Sequence, residues 1–288
     1  MGRKIAITTD CTSDLNPELL KRFGIDVIYF YIYTDTGKFQ DVSEITAANV
    51  FECMRRGGTT RSVAPDPEEY MRFFEKKLKN CDEVIHVAIS SGISLSCTNS
   101  AKALELMGEN GSRVHIVDTW QLSTGVGHLA IRAAELALAG KSSDEIIAEL
   151  SELRNRVSTT FITMNAEYLY LNGKVSKKVE RICNRLNIHP VLEMRGGQIK
   201  LKKVFFGNYE NAMLRYIRSQ LRGDSEIDVK RLFVTHAGCS VKELNAVQKT
   251  ITSMIKFSEV YVTVASATIS SNCGPHTIGV LYIKKPIG

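Results

Sequence analysis

The chain has 288 residues, of which 44% are hydrophobic and 24% charged, and its 37 Lys+Arg against 31 Asp+Glu leave a formal charge of +6. These proportions exclude a mainly disordered chain, a collagen-like fibre and a small disulfide scaffold, and the length suits one large domain or two of ordinary size. No run approaches the ~18 apolar residues of a membrane span, and the basic residues are scattered, as at Lys76, Lys77, Lys177 and Lys178, so no nucleic-acid arm is expected.

From the N-terminus, Lys4–Thr9 reads as a short buried strand running into the polar turn Asp10-Cys11-Thr12-Ser13-Asp14. Pro17–Phe23 predicts a helix. Asp26–Tyr33, rich in Ile, Val, Tyr and Phe, predicts a second strand. Ala47–Arg56 reads as a helix, and Thr59-Thr60-Arg61-Ser62 as a hydroxyl-rich loop. Asp66-Pro67-Glu68-Glu69 is a helix start: a capping acceptor, proline in the first turn, then acids that complement the helix dipole. Glu83–Ile89 and Arg113–Val117 predict strands, and Ser96–Met107, Val126–Ala139 and Ser143–Val157 helices.

Strands separated by helices predict a mostly parallel sheet with helices on both faces. In such sheets ligands sit outside the carboxyl ends of the strands. The loops after Thr9, Ile89 and Val117, all rich in hydroxyls, are therefore where chemistry is expected.

The second half has another rhythm. Ser158–Met164 reads as a strand, Glu167–Leu171 and Lys177–Leu186 as short helices, and Pro190–Met194 with Gln198–Phe205 as a hairpin around Arg195-Gly196-Gly197. Helices at Asn211–Leu221 and Val241–Met254 alternate with strands at Arg231–Thr235, Val260–Ala265 and Thr277–Ile283. Ser270-Ser271-Asn272-Cys273-Gly274-Pro275-His276 reads as a polar turn between the last two strands. The expected fold class is α/β with two domains, 1–160 and 161–288, the second on a mixed sheet, and a ligand cleft between them.

Seven cysteines at wide spacings, with no Cys-x-x-Cys, point away from zinc or a disulfide framework and toward reduced thiols in a cytoplasm. Ser90-Ser91-Gly92-Ile93-Ser94-Leu95-Ser96, between a strand and a helix, offers hydroxyls and free N–H groups to an anion, or simply caps the helix. Asp10 and Asp118 each end a strand, where they fix the hydroxyl loops or, as a pair, bind magnesium. Gly125-Val126-Gly127-His128-Leu129-Ala130 matches a relaxed dinucleotide fingerprint, but Thr119–Thr124 intervenes between the strand and the first glycine and no second strand follows. Gly92-Ile93-Ser94-Leu95-Ser96 is one residue short of a nucleophile elbow, and Asp118 and His236 follow in hydrolase order. A serine hydrolase using Ser94, Asp118 and His236 is therefore one reading, and a binding module for a small anion another.

The order of the clusters resembles the bacterial DegV family. The similar segments are Thr9-Asp10-Cys11-Thr12-Ser13-Asp14-Leu15, Ser62-Val63-Ala64-Pro65-Asp66-Pro67, Ile89-Ser90-Ser91-Gly92-Ile93-Ser94 with Asn99-Ser100-Ala101, and Val117-Asp118-Thr119 with Ser123-Thr124-Gly125. Tyr170-Leu171-Asn172-Gly173-Lys174-Val175-Ser176, His236-Ala237-Gly238 and Gly274-Pro275-His276-Thr277-Ile278-Gly279 continue it to the end of the chain.

The resemblance implies a non-enzymatic carrier that needs no cofactor, holds a long-chain fatty acid between two domains and presents it to a fatty acid kinase. Transient membrane contact is compatible with that role. By position, Ser62 and Ser94 bind the carboxylate, Ser91, Asn272 and His276 support the head-group pocket, and Asp10 and Asp118 hold the loops. Asn272 stands where the family usually has histidine, Ser62 where threonine is usual, and Lys174 where arginine is frequent.

Overall fold

A computed structural model describes residues 4–173 and 175–286. The chain opens with β1 (Ile5–Asp10), α1 (Pro17–Phe23), β2 (Ile25–Ile28), β3 (Tyr31–Thr34) and β4 (Gly37–Gln40). It continues through α2 (Ala47–Arg55), β5 (Thr60–Val63), α3 (Pro67–Leu78), β6 (Glu83–Ala88) and α4 (Ser96–Leu106). β7 (Val114–Asp118), α5 (Thr124–Leu138) and α6 (Ser143–Leu153) close the first half.

β1, β2, β6 and β7 form an all-parallel sheet in the order β2-β1-β6-β7. Alternation along β6 sends Ile85 and Val87 to the core shared with α5 and α6, while Val84 joins Tyr70, Phe74 and Ala103 of α3 and α4. Both faces are thus covered. α3 begins as its sequence requires: Asp66 accepts the Glu69 N–H at 2.8 Å and Glu69 returns the bond to the Asp66 N–H at 2.9 Å. Within α5, a Cβ on Gly125 would stand 2.3 Å from Thr159 Oγ1, so this position serves close helix–sheet packing.

Two expectations for this half are corrected. The strand expected over Asp26–Tyr33 is two strands in different sheets. The chain bends at Phe30, whose N–H donates to Cys11 Sγ at 3.2 Å and whose carbonyl accepts the Asp41 N–H at 2.8 Å, so neither sheet ladder claims it. The segment Thr59–Ser62, expected as a loop, supplies β5, which pairs with β3 so that Ser62 lies opposite Ile32 in the small sheet β4-β3-β5.

The second half runs β8 (Val157–Ile162), α7 (Glu167–Leu171), α8 (Lys177–Arg185), β9 (Ile188–Arg195), β10 (Gln198–Phe206) and α9 (Tyr209–Gln220). β11 (Ile227–Ala237), α10 (Val241–Thr252), β12 (Glu259–Val264), α11 (Ala267–Cys273) and β13 (Thr277–Lys284) follow. Its sheet has the order β10-β9-β8-β13-β11-β12 and is mixed, with β11 and β12 parallel and the other pairs antiparallel. α9 and α10 cover one face through Tyr216, Ile217, Val247 and Ile251. The other face, with Phe161, Leu192, Phe233 and Leu281, joins the core of the first half.

The polar segment expected as a turn before β13 is largely the helix α11. Its first N–H groups are taken by two carboxylates from the first half. Asp14 Oδ1 accepts from Ser266 at 2.8 Å, and Asp41 accepts from Ala267 and Thr268 at 2.8 and 2.9 Å. Buried N–H groups at a helix start need such partners. All seven cysteines are free thiols. Among the described residues no helix is long and apolar enough to cross a membrane.

Candidate functional site

A cavity of about 920 Å³ is lined from both halves of the chain. Much of its wall is hydrocarbon, with Phe161, Leu169, Leu192, Val204 and Leu281 among the lining side chains. The loops after β6 and β7 reach it, at the carboxyl ends of the parallel strands. Ser62, Ser91, Ser94, Asn272 and His236 all line it.

Ser94 sits in the loop that feeds α4. Its N–H donates to the Ser90 carbonyl at 3.1 Å, and its hydroxyl oxygen accepts the Ser96 N–H at 3.2 Å. Ser62 reaches the cavity from β5, and its hydroxyl takes no hydrogen bond within the described residues. Asn99 of α4, itself a lining residue, donates to the Pro65 carbonyl at 2.7 Å and ties the segment after β5 to the helix after Ser94.

Asp10 is fully buried beneath this loop. It accepts from Tyr70 Oη at 2.8 Å, the Ile89 N–H at 2.9 Å and Ser96 Oγ at 2.7 Å. Burial favours its neutral form, but the neighbouring His86 and these donors outweigh that and hold the carboxyl below its ordinary range. Asp118 accepts from the Ser91 hydroxyl at 2.5 Å and from the Ser91 and Trp120 N–H groups at 3.2 Å. The two acids sit where they brace the loops. Asp14, which no reading of roles had singled out, is pushed up to about 7 by burial.

Other expected positions fall differently. The Ser91 hydroxyl, on the cavity wall, donates to Asp118 Oδ2. Asn272 lines the cavity, with its amide nitrogen bonded back to the Thr268 carbonyl at 2.8 Å. His276 is absent from the lining. It adopts a left-handed backbone conformation (φ 58°), and its Nδ1 lies 3.0 Å from Glu243 Oε1 at the start of α10. Lys174 lies outside the described residues.

The hydrolase constellation is not assembled. Asp118 holds the Ser91 loop, not an imidazole, and His236 Nδ1 receives the Cys239 N–H at 3.2 Å. A triad requires the acid on the histidine and the histidine on the serine. Burial also lowers the pKa of His236. No group of three His, Cys, Asp or Glu among the described residues could hold a metal ion.

Further contacts that the sequence did not announce surround the Ser94 loop. Ser90 Oγ donates to the Gly197 carbonyl at 2.8 Å, and Gln198 Nε2 donates to the Gly92 carbonyl at 3.1 Å. Their partners stand more than a hundred residues apart, and no local pattern joins them. Arg195-Gly196-Gly197 showed the turn but not its destination.

Comparison with known proteins agrees with this layout. A DegV domain-containing protein of Caldanaerobacter subterraneus subsp. tengcongensis is 27% identical over 283 residues, covering 98% of this chain and 99% of the relative. A DegV domain-containing protein of Deinococcus radiodurans is 33% identical over 196 residues, covering 68% of this chain and 69% of its own. The fold is similar to a solved structure described as the fatty acid binding of a DegV family protein from Thermus thermophilus. That pair has TM-score 0.85 and 28% identity, covering 98% of this chain and 100% of the other. It is also similar to DegV, a fatty acid binding protein from Bacillus subtilis, with TM-score 0.83 and 21% identity over 98% and 100% of the two chains. The family pattern described as an uncharacterised protein of the DegV family runs from residue 4 to residue 285 and takes in all three sheets and every residue lining the cavity, so the chain belongs to the DegV family.

Proposed function

We propose that the protein is a carrier of a long-chain fatty acid, with the acyl tail in the apolar part of the cavity and the carboxylate at Ser62 and Ser94. The observation that carries this reading is one cavity of about 920 Å³ that combines a hydrocarbon wall with two serine hydroxyls free to donate. A carboxylate taken from water without donors is strongly penalised, and charge-assisted hydrogen bonds offset that cost. At ~0.8 kcal/mol per buried methylene, a tail of about fifteen methylenes contributes ~12 kcal/mol gross, from which ordering and association costs are subtracted. A small anion would leave most of this apolar wall without contacts, which favours the long chain.

In this reading the units 1–160 and 161–288 close on the ligand, and the protein works in the cytoplasm with transient contact at a membrane. It supplies no chemistry or cofactor of its own and presents the carboxylate to a fatty acid kinase, which forms the acyl-phosphate. The solved relative from Thermus thermophilus, described as binding fatty acid, supports the ligand class. The kinase step is tested by incubating palmitate-loaded protein with a purified fatty acid kinase and ATP. Acyl-phosphate formation that requires the loaded protein is expected, and kinase activity on free palmitate alone, unchanged by the protein, overturns it.

A further inference from the structure

The hairpin of β9 and β10 belongs to the second half of the chain, yet its tip rests on the loop that carries Ser94. Two hydrogen bonds make this join, and three more within residues 90–94 hold the loop that receives them. Ser90 Oγ, fully buried, donates to the Gly197 carbonyl at 2.8 Å and accepts the Gly92 N–H at 3.3 Å. Gln198 Nε2 donates to the Gly92 carbonyl at 3.1 Å. The Ser90 carbonyl in turn receives the Ile93 and Ser94 N–H groups at 3.1 Å.

The approach leaves no room for side chains. A Cβ on Gly92 would stand 2.4 Å from the Gly197 carbonyl oxygen, and one on Gly197 would stand 3.0 Å from Ser90 Oγ. Gly197 also has φ 76°, a conformation that glycine adopts without strain. The other side of the tip meets Trp120, whose ring is stacked under the Arg154 guanidinium at 3.7 Å. Arg154 itself donates to the Asp118 carbonyl at 2.8 Å.

Resting on the fatty-acid reading above, we infer that Ser90, with Gly197 and Gln198, is a positioning latch: docking of the hairpin tip sets the Ser94 loop so that the Ser94 hydroxyl points at the ligand carboxylate. The two ends of the ligand are thereby coupled. β9 and β10 supply tail-lining residues, among them Leu192, Ile199 and Val204, and the tip of the same hairpin grips the head-group loop. A hairpin closed over the tail is one that has oriented Ser94.

The test compares two ligands of equal tail, palmitate and methyl palmitate, on wild type, Ser90→Ala, Ser90→Thr, Gln198→Ala and Ser94→Ala, with thermal melts beside each titration. A latch that acts through Ser94 predicts that Ser90→Ala and Gln198→Ala lower palmitate affinity by about tenfold, the size of one lost donor. Methyl palmitate, which offers no carboxylate, is then changed by less than about twofold. Ser90→Thr, which keeps the hydroxyl, restores palmitate binding. Equal weakening of both ligands, or no weakening of either, overturns the latch. Gln198→Ala alters an exposed side chain and keeps the test decisive if Ser90→Ala does not fold. A Ser94→Ala protein that binds palmitate as wild type does overturns the carboxylate reading itself, whereas Ser94→Ala loss with Ser90→Ala and Gln198→Ala unchanged removes only the latch.

Discussion

The hydroxyl oxygen of Ser94 accepts the backbone N–H of Ser96 at 3.2 Å, which occupies a lone pair and leaves the hydroxyl hydrogen free to donate into the cavity. The local turn that begins α4 thus leaves a donor on the cavity wall, where the proposed reading puts the ligand carboxylate. Ser94→Ala removes that donor and is expected to weaken palmitate binding by ~1–3 kcal/mol, on the order of ten- to a hundredfold, with a stability cost of about 1 kcal/mol from the lost Ser96 contact. Isothermal titration on delipidated protein checks this, and an unchanged affinity in a folded variant would contradict it.

Asp14 links the first half of the chain to the start of α11, and burial raises its pKa from 3.8 to about 7. A raised folded-state value means that the native protein binds the proton more tightly than the unfolded chain. The stability this contributes is full below pH 3.8 and is lost as the pH rises through about 7. Asp14→Asn cannot titrate, so the melting temperature of wild type relative to Asp14→Asn is expected to fall across that window. A constant difference would refute the linkage.

Asp10 satisfies Tyr70, Ser96 and the Ile89 N–H from a position with no solvent exposure. Asp10→Ala strands three buried donors and is expected to cost about 3 kcal/mol or more of folding stability. Urea denaturation with an unchanged slope reads this directly, and a midpoint equal to wild type would show that the acid is dispensable.

Leu201 is 60% exposed and also lines the cavity, so it lies at a mouth of the cavity, the proposed entrance for the tail. Leu201→Asp leaves the core untouched but puts a charge on the apolar rim. Slower palmitate association, by about tenfold, is expected at unchanged melting temperature, because a chain entering past position 201 must displace water from the new carboxylate. Stopped-flow uptake at wild-type rate would place the entrance elsewhere.

The elements that were legible in the sequence are those with local causes. Asp66-Pro67-Glu68-Glu69 carries its own cap, and α3 starts there because both capping bonds lie within four residues. The alternating strands and helices up to Asp118 announced a parallel sheet for the same reason. What was hidden depends on distant partners. Ala267–Cys273 is polar and short, and it stands as a helix because Asp14 and Asp41, more than two hundred residues away, take its first N–H groups. The bend at Phe30 depends on Cys11 and Asp41, and β5 exists through its pairing with β3.

The site shows the same division. Ser62 and Ser94 stood out as hydroxyl clusters near strand ends, and both line the cavity. His276 also stood in a polar cluster, but its imidazole is turned to Glu243, whose place on α10 no turn motif reveals. Gly197 and Gln198 lie in a hairpin whose docking partner is set only by the packing of one sheet against the other.

The most direct test of the carrier reading is mass spectrometry of lipids extracted under denaturing conditions from the purified, untagged protein. A long-chain fatty acid in near-stoichiometric amount is the predicted result, and its length and unsaturation report what the cavity selects. Absence of lipid, together with failure of added palmitate and oleate to bind, would contradict the account.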